Sequence, residues 1–181
     1  RRFRPILDAR GIEGLLCFGS PNLEETFPLE LDHYAVVTIG LSIASPLHRV
    51  TSHFFNDLTH VLTGVHELGY RRPGLVLGVY EDRRSAHAYA GPYFGWWEHV
   101  GKSPAMIPIL RLDRVEEGPL MGWLHEHHPD VIVFVHLYDA IEELKAVLKR
   151  NNVRVPQDIG VAAVSQILEG RPHLAVATDV K

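Results

Sequence analysis

The apolar residues of the chain fall into short continuous runs, separated by stretches with helical spacing. Two runs in the first half, Ile12–Gly19 and Tyr34–Gly40, are almost wholly apolar and end on glycine. Runs of this kind predict parallel strands that are covered on both faces. The second half contains further predicted strands at Gly74–Val79, Met106–Leu112, Val131–His136, Ile159–Ser165 and Leu174–Thr178.

Helical periodicity connects these runs. After Asn56, one apolar stripe with spacings of three and four residues predicts a helix that ends at Gly69, the usual place for a C-terminal glycine. A second helix is predicted from Ala140 to Arg150, with Asp139 as its N-cap. A short helix is also expected at residues 5–10. Strands alternating with helices indicate right-handed βαβ units, and therefore an α/β fold with parallel sheets and helices on both faces.

Composition narrows the class of protein. The 181 residues are 46% hydrophobic, which suffices for one domain or two small lobes, and the net charge of −4 is spread without long runs of one sign, so no footprint for a phosphate backbone is visible. Cys17 is the only cysteine, which excludes an intrachain disulfide and a CxxC metal site. No run approaches the roughly 20 apolar residues of a membrane span, and the chain start lacks a signal-peptide core. We therefore expect a cytoplasmic protein without membrane contact.

Several segments, in order along the chain, resemble the LacI/GalR family of bacterial transcription regulators. The run "HVLTGVHELGYRRPGLVLG" (60–78) is similar to the family's "HL…LGHRRIA…G" segment, and "GIEGLLCFG" (11–19) to its "VDGLI" strand. The run "YFGWWEHV" (93–100) resembles its "RxxG[FW]" helix, and "NNVRVPQDIGVAAVS" (151–165) its "GxxVPxD[IV]xVxG[FY]D" segment. The similarity covers about residues 5–180, and its motifs keep the family's order.

The resemblance implies a two-lobed, periplasmic-binding-protein-like (type I) architecture with an incomplete first lobe. Residues 1–72 would belong to the N-terminal lobe, 73–170 to the C-terminal lobe, and 171–181 to a segment returning toward the first. The chain would be the ligand-sensing and dimerisation domain of a regulator, not an enzyme. Its helix-turn-helix head, which binds operator DNA, would lie outside this sequence. Such regulators read pseudo-palindromic operators, so a homodimer is expected. No cofactor and no metal are expected.

The candidate ligand site follows from a general rule for open α/β sheets, in which ligands collect at the carboxyl ends of the strands. Here that edge would face the cleft between the lobes. The residues chosen by this rule as ligand contacts are His53, Asp82, His136, Tyr138 and Ser165. They come from both predicted lobes, so a bound molecule could favour closure of the cleft.

The sequence departs from the family at positions where its sugar-binding members place polar side chains. Pro92 replaces the effector-binding arginine, Leu137 and Tyr138 replace an Asn-Asp pair, and His53 and Ser165 each replace an aspartate. Either the effector is different and less polar, or the cleft binds no small molecule. If an effector exists, two histidines beside an aspartate and a tyrosine suit an anionic or aromatic compound, with binding that depends on pH near the histidine pKa of about 6.5.

Other motifs have simpler interpretations. The histidines of "HEHH" (125–128) lack HExxH spacing and sit at a predicted helix end, where the helix dipole favours them. Trp96, Trp97 and Trp123 lie among apolar residues and are predicted to be core. Pro92 is expected to restart a helix as its first residue or to kink it. The pair Arg71-Arg72 is interpreted as a solvated crossover between lobes.

Three functions remain open from sequence. The first is the regulator domain described above. The second is a periplasmic-type solute-binding protein for small-molecule uptake, which would carry a secretory signal upstream. The third is an enzyme on a Rossmann-like sheet, although the sequence has no GxGxxG, GxSxG or P-loop motif.

Overall fold

The computed structural model describes residues 3–19, 32–43, 45–100, 106–135, 140–168 and 171–178. From residue 165 onward, only the backbone is described. The helices are α1 (Phe3–Ala9), α2 (Phe54–Glu67), α3 (Val79–Arg84), α4 (Ala90–His99), α5 (Glu117–His127) and α6 (Ala140–Arg150). The strands are β1 (Gly14–Phe18), β2 (Ala35–Ile39), β3 (His48–Val50), β4 (Pro73–Gly78), β5 (Leu110–Leu112), β6 (Val131–Val135), β7 (Gly160–Leu168) and β8 (Arg171–Thr178).

The chain divides into two compact units. Unit 1 comprises Arg1–Ser52 and Arg84–Ala86, and unit 2 comprises His53–Arg83 and His87–Lys181. Unit 1 holds a parallel sheet of order β1-β2-β3, and unit 2 a sheet of order β5-β4-β6-β7-β8 in which only the β7–β8 pair is antiparallel. The predicted α/β class with parallel sheets is confirmed.

The boundary between the units differs from the one expected between lobes. It falls between Ser52 and His53, whereas the sequence placed the passage after Arg72. The reason lies in α2, whose apolar stripe packs against β6, β7, β8 and α4, all in unit 2. Likewise β8 pairs with β7 instead of leaving unit 2. The assignment of 1–72, 73–170 and 171–181 to lobes of a regulator stays a prediction.

The core of unit 2 forms around two strands that are buried along their whole length, β4 and β6. The stripes of α2 and α6 pack into this core, as their periodicity predicted. Trp96, Trp97 and Trp123 are buried in it, which confirms their interpretation as core residues. The Trp123 indole donates a hydrogen bond to the Pro108 carbonyl at 2.8 Å, so its one polar group is satisfied.

The sheet of unit 1 is less covered. Its core consists of Cys17, Val36 and Ile43 with a few half-buried neighbours, and burial raises the pKa of the Cys17 thiol. Leu16 is 59% exposed and Phe18 71% exposed, and the register puts Phe18 beside Ile39, which is also exposed. The expectation that β1 and β2 are covered on both faces is therefore wrong for the described part of unit 1.

The connection from α2 to β4 is built from Arg71, Arg72 and Asp130. The Asp130 carboxylate accepts hydrogen bonds from the Arg71 amide at 2.6 Å and the Arg72 amide at 2.9 Å. The Arg72 guanidinium donates to the carbonyl oxygens of His127 at 2.7 Å and His128 at 3.2 Å, where α5 ends. This pairing stabilises carbonyl groups that have no partner within the helix. The arginine pair therefore ties secondary-structure elements together; Arg71 is exposed and Arg72 half-buried, and the interpretation as a crossover between lobes stays a prediction.

Candidate functional site

The candidate site lies at the carboxyl end of β4, where the chain enters α3 without a loop. Six buried residues, Pro73–Gly78, are followed directly by Val79, the first residue of α3. The short helix brings the Asp82 side chain back into the protein, where it is only 5% exposed. A carboxylate this deeply buried loses hydration and needs charged or hydrogen-bonding partners.

Arg111 supplies the principal charged partner. It lies on β5, and the parallel register sets it beside Leu77, near the end of β4. Its Nε donates to Oδ2 of Asp82 at 2.8 Å. The Arg111 side chain is 43% exposed, so this guanidinium bridges a buried carboxylate and solvent. A guanidinium carries five N–H donors, and those not bonded to Asp82 are available at the surface of this edge.

His87 is the third member of the cluster. Its Nδ1 lies 3.2 Å from Oδ2 of Asp82, and its side chain is 67% exposed. The backbone makes this possible through two consecutive left-handed residues, Ala86 with φ of 51° and His87 with φ of 61°. The His87 amide donates to the Asp82 carbonyl at 2.8 Å, which closes the turn. Non-glycine residues in this region cost about 1–3 kcal/mol each when the surroundings enforce it, and such strain concentrates at functional sites.

Together these three residues form a cluster in which the exposed side chains of Arg111 and His87 contact the buried Asp82 carboxylate. Arg111 presents positive charge and N–H groups to solvent, the exposed His87 imidazole lies beside it, and the buried Asp82 carboxylate contacts both. Such an arrangement can bind a carboxylate, a phosphate or a polar oxygen of a small molecule. It contains no nucleophile with an activating base, and no group of three His, Cys, Asp or Glu side chains that could hold a metal ion occurs in the described ranges.

The structure places the predicted ligand contacts differently, and their role in binding stays a prediction. Asp82 lies at the strand end as predicted, inside the cluster. His53 is exposed and acts as the N-cap of α2, with its Nδ1 accepting a hydrogen bond from the Asn56 amide at 3.3 Å. Within the described part of the chain it makes no hydrogen bond or ion pair to the Asp82 cluster. His136 and Tyr138 lie outside the described residues. The backbone of Ser165 lies in β7, paired with Leu174, and its side chain is outside the described part.

Arg111 and His87 were missed from sequence. Arg111 sits between two leucines in "LRL", and a lone arginine on a short strand beside a predicted buried strand is a usable signal for a site at the sheet edge. His87 gave no such signal. Its position depends on a left-handed turn at Ala86 and His87, and this conformation cannot be predicted from an alanine and a histidine.

Pro92 occupies the first turn of α4. The helix begins at Ala90, so Pro92 is its third residue, where a backbone N–H would have no partner within the helix. The expected restart of the helix at this point is confirmed, although Pro92 is not its first residue. The side chain of Pro92 is buried, as is that of Tyr93.

Tyr93 fixes α4 to the sheet. Its hydroxyl is buried and contacts two carbonyl oxygens, donating to that of Ile107 at 2.7 Å and lying 3.2 Å from that of Pro73. Burial raises the pKa of Tyr93 far above its ordinary value, so the phenol stays protonated and keeps donating. The buried face of α4 is thereby set on the sheet whose strand β4 leads into α3 and Asp82.

Comparisons with known proteins support the fold. No family model and no curated protein sequence matches the chain. Among solved structures, the transcriptional repressor ascG of Escherichia coli superposes with a TM-score of 0.62 at 14% identity, over 89% of this chain and 60% of that one. A LacI family regulator from Bifidobacterium animalis subsp. lactis gives a TM-score of 0.61 at 18% identity, over 89% and 60%. The chain shares its fold with these LacI-type regulators.

A third similar structure has a bound ligand. The periplasmic binding protein/LacI transcriptional regulator of Alkaliphilus metalliredigens, complexed with D-xylulofuranose, superposes with a TM-score of 0.56 at 14% identity, over 88% of this chain and 59% of that one. The present chain thus spans about 60% of the length of these proteins. The structure has no helix, among the residues it describes, that is long and apolar enough to cross a membrane.

Proposed function

We propose that this chain is the effector-sensing and dimerising region of a LacI-type DNA-binding transcription regulator, with the helix-turn-helix head outside it. The observation that carries the proposal is the shared fold with LacI-type regulators over 88–89% of the chain. The charged cluster at the carboxyl end of β4 adds a site where such sheets bind ligands. The regulator acts in the cytoplasm, as a homodimer, on a pseudo-palindromic operator.

The effector is an anionic small molecule. Arg111 offers exposed cationic donors beside the exposed His87 imidazole, and the sequence lacks the polar residues with which sugar-binding family members hold neutral ligands. A sugar, D-xylulofuranose, is bound by the Alkaliphilus metalliredigens protein, whereas here common hexoses should bind weakly. His53, His136, Tyr138 and Ser165 are further proposed contacts of the effector.

Ligand screening tests the effector class. Thermal unfolding is followed with carboxylated and phosphorylated metabolites and with neutral hexoses at about 1 mM, since a ligand that binds the native state raises the melting temperature. An anionic compound should stabilise the protein. Stabilisation by a neutral hexose alone would contradict the proposal.

A matched pair of arginine variants tests the site. Arg111→Ala should weaken binding of the stabilising compound by about tenfold or more, as expected for loss of a charge-assisted hydrogen bond. Arg114→Ala is the control, because Arg114 is exposed nearby and pairs with Glu116 at 2.9 Å instead of Asp82. Equal loss in both variants would mean that general charge, and not the Asp82 cluster, attracts the ligand.

The regulatory role needs the complete gene product. We expect it to bind the DNA upstream of its own or a neighbouring gene and to be released or recruited by the same compound. The second candidate is a solute-binding protein, since the name of the similar Alkaliphilus metalliredigens structure includes both a periplasmic binding protein and a LacI regulator. A secretory signal encoded upstream of the present sequence would favour this second candidate. Light scattering that shows only monomer at micromolar concentration would contradict the dimer.

A further inference from the structure

A groove lies at the amino ends of the parallel strands of unit 2, opposite the end that holds the Asp82 cluster. It is formed by the last turns of α6 and the turn that leads to β7, and has a volume of about 550 Å³. Because α6 precedes β7 and runs against the direction of the parallel strands, its C-terminus lies at their amino ends. The groove is lined by Lys145, Lys149, Asn152, Val153, Arg154, Val155 and Gln157.

The lining is positively charged. It contains two lysines, one arginine and two amides, and no carboxylate. Arg154 forms a bidentate ion pair with Asp158: its Nε donates to Oδ2 at 2.8 Å and its Nη2 to Oδ1, and its backbone amide also donates to Oδ2 at 2.8 Å, so this charge is already balanced. Lys145 lies 3.6 Å from the exposed carboxylate of Glu142. No carboxylate of the described residues lies within ion-pair distance of the Lys149 ammonium group.

The helix end at this groove does not repel an anion as strongly as a bare C-terminus would. Its last carbonyl groups already accept hydrogen bonds: that of Val147 from the Asn151 amide, that of Leu148 from the Val153 amide, and that of Lys149 from the Asn152 amide. Asn152 takes a left-handed conformation, with φ of 59°, to close this turn. The negative end of the helix dipole is thus partly satisfied by the backbone, and the lysine charge faces the groove.

We propose that this groove binds a small molecule through a phosphate or carboxylate group, at a site separate from the Asp82 cluster. Lys149 supplies the charge, Lys145 and the ordered Arg154 add donors, and the amides of Asn152 and Gln157 pair with polar atoms next to the anionic group. The volume falls within the range of about 300–1,000 Å³ that is typical of small-molecule sites. Val153 and Val155 provide the apolar part of the wall.

Inorganic phosphate and pyrophosphate are the probes, titrated by calorimetry at constant ionic strength adjusted with chloride. Saturable binding is expected, and Lys149→Gln should weaken it by about tenfold, the loss expected for one charged donor. Arg150→Gln is the matched control, because Arg150 is the next residue on α6 but points to Glu117 and does not line the groove. Arg111→Ala, at the other edge of the sheet, should leave this binding unchanged.

Each result decides the proposal. Loss in Lys149→Gln with retention in Arg150→Gln and Arg111→Ala supports the groove. Absence of saturable binding in the unmodified protein overturns it, as does equal loss in Lys149→Gln and Arg150→Gln, which would reflect net charge alone. Loss only in Arg111→Ala assigns the anion to the Asp82 cluster and also overturns the groove. Lys149 is exposed, and far-UV circular dichroism verifies that its variant is folded.

Discussion

Similar apolar strands have different surroundings in the two units. In unit 2, β4 and β6 are buried at every residue, and the helices α2, α4, α5 and α6 contribute to one continuous core. In unit 1, β1 and β2 have comparable apolar sequences, yet Leu16 and Phe18 on one face are exposed. Apolar composition therefore does not by itself ensure that both faces of a strand are covered.

The largest expected effect tests this difference by truncating one leucine in each unit. Leu62 on α2 is completely buried, and Leu62→Ala should lower the free energy of unfolding by about 3 kcal/mol because it removes packing and leaves a cavity. Leu16→Ala should change it by less than about 0.5 kcal/mol, since this side chain is mostly exposed. Urea unfolding followed by tryptophan fluorescence and far-UV circular dichroism measures both. Equal losses would mean that the face of unit 1 is covered.

A smaller effect is expected from glycine substitutions in unit 2. A Cβ at Gly74 would meet the Trp123 ring and would lie 3.0 Å from Cβ of Pro129, so Gly74→Ala should destabilise the protein by about 1–3 kcal/mol through overpacking. Gly122 lies on the exposed face of α5 with nothing within 4 Å of an added Cβ. Gly122→Ala should stabilise the helix by up to about 1 kcal/mol. Thermal unfolding of both variants distinguishes them, and destabilisation by Gly122→Ala would argue against the exposed position.

The smallest effect concerns exposed charges around the same core. Hydrogen bonds from Asn151 and from Arg150 lower the pKa of Glu117 from its ordinary value of 4.5. Because the folded pKa is lower than the unfolded one, this stabilisation is present above the unfolded pKa and is lost as pH falls through the folded pKa. A carboxyl titration by NMR should show the lowered pKa, and Arg150→Gln should raise it. An unchanged pKa in that variant would leave Asn151 as the whole cause.

Sequence periodicity predicted most of unit 2 because its elements are long or strongly apolar. The stripe that defines α2 and the runs of β4 and β6 are visible in the sequence and present in the structure. Strand β3 was missed, since "HRV" contains a single apolar residue and its pairing with β2 depends on tertiary structure. Helix α3 was missed because its six residues are too few to show a period.

The candidate site was predictable only in part. The strand-end rule found Asp82, because that rule depends on the order of elements along the chain. The position of Arg111 between two leucines was a usable signal, but its place beside Asp82 depends on the register between β4 and β5, which a single sequence does not contain. The strand-end rule also selected His53, whose side chain in the structure caps α2.

The hydrogen bonds that tie α2, α5 and β4 together restrict where amino acids can be inserted into the sequence. The Asp130 carboxylate accepts hydrogen bonds from the amides of two consecutive residues, Arg71 and Arg72. These bonds require a fixed number of residues between Gly69 and Pro73. One inserted amino acid would move Arg72 away from the end of α5 and shift all of β4 by one position, which would exchange the two faces of that strand. Homologous proteins should therefore keep this connection at constant length, and any insertions should accumulate elsewhere.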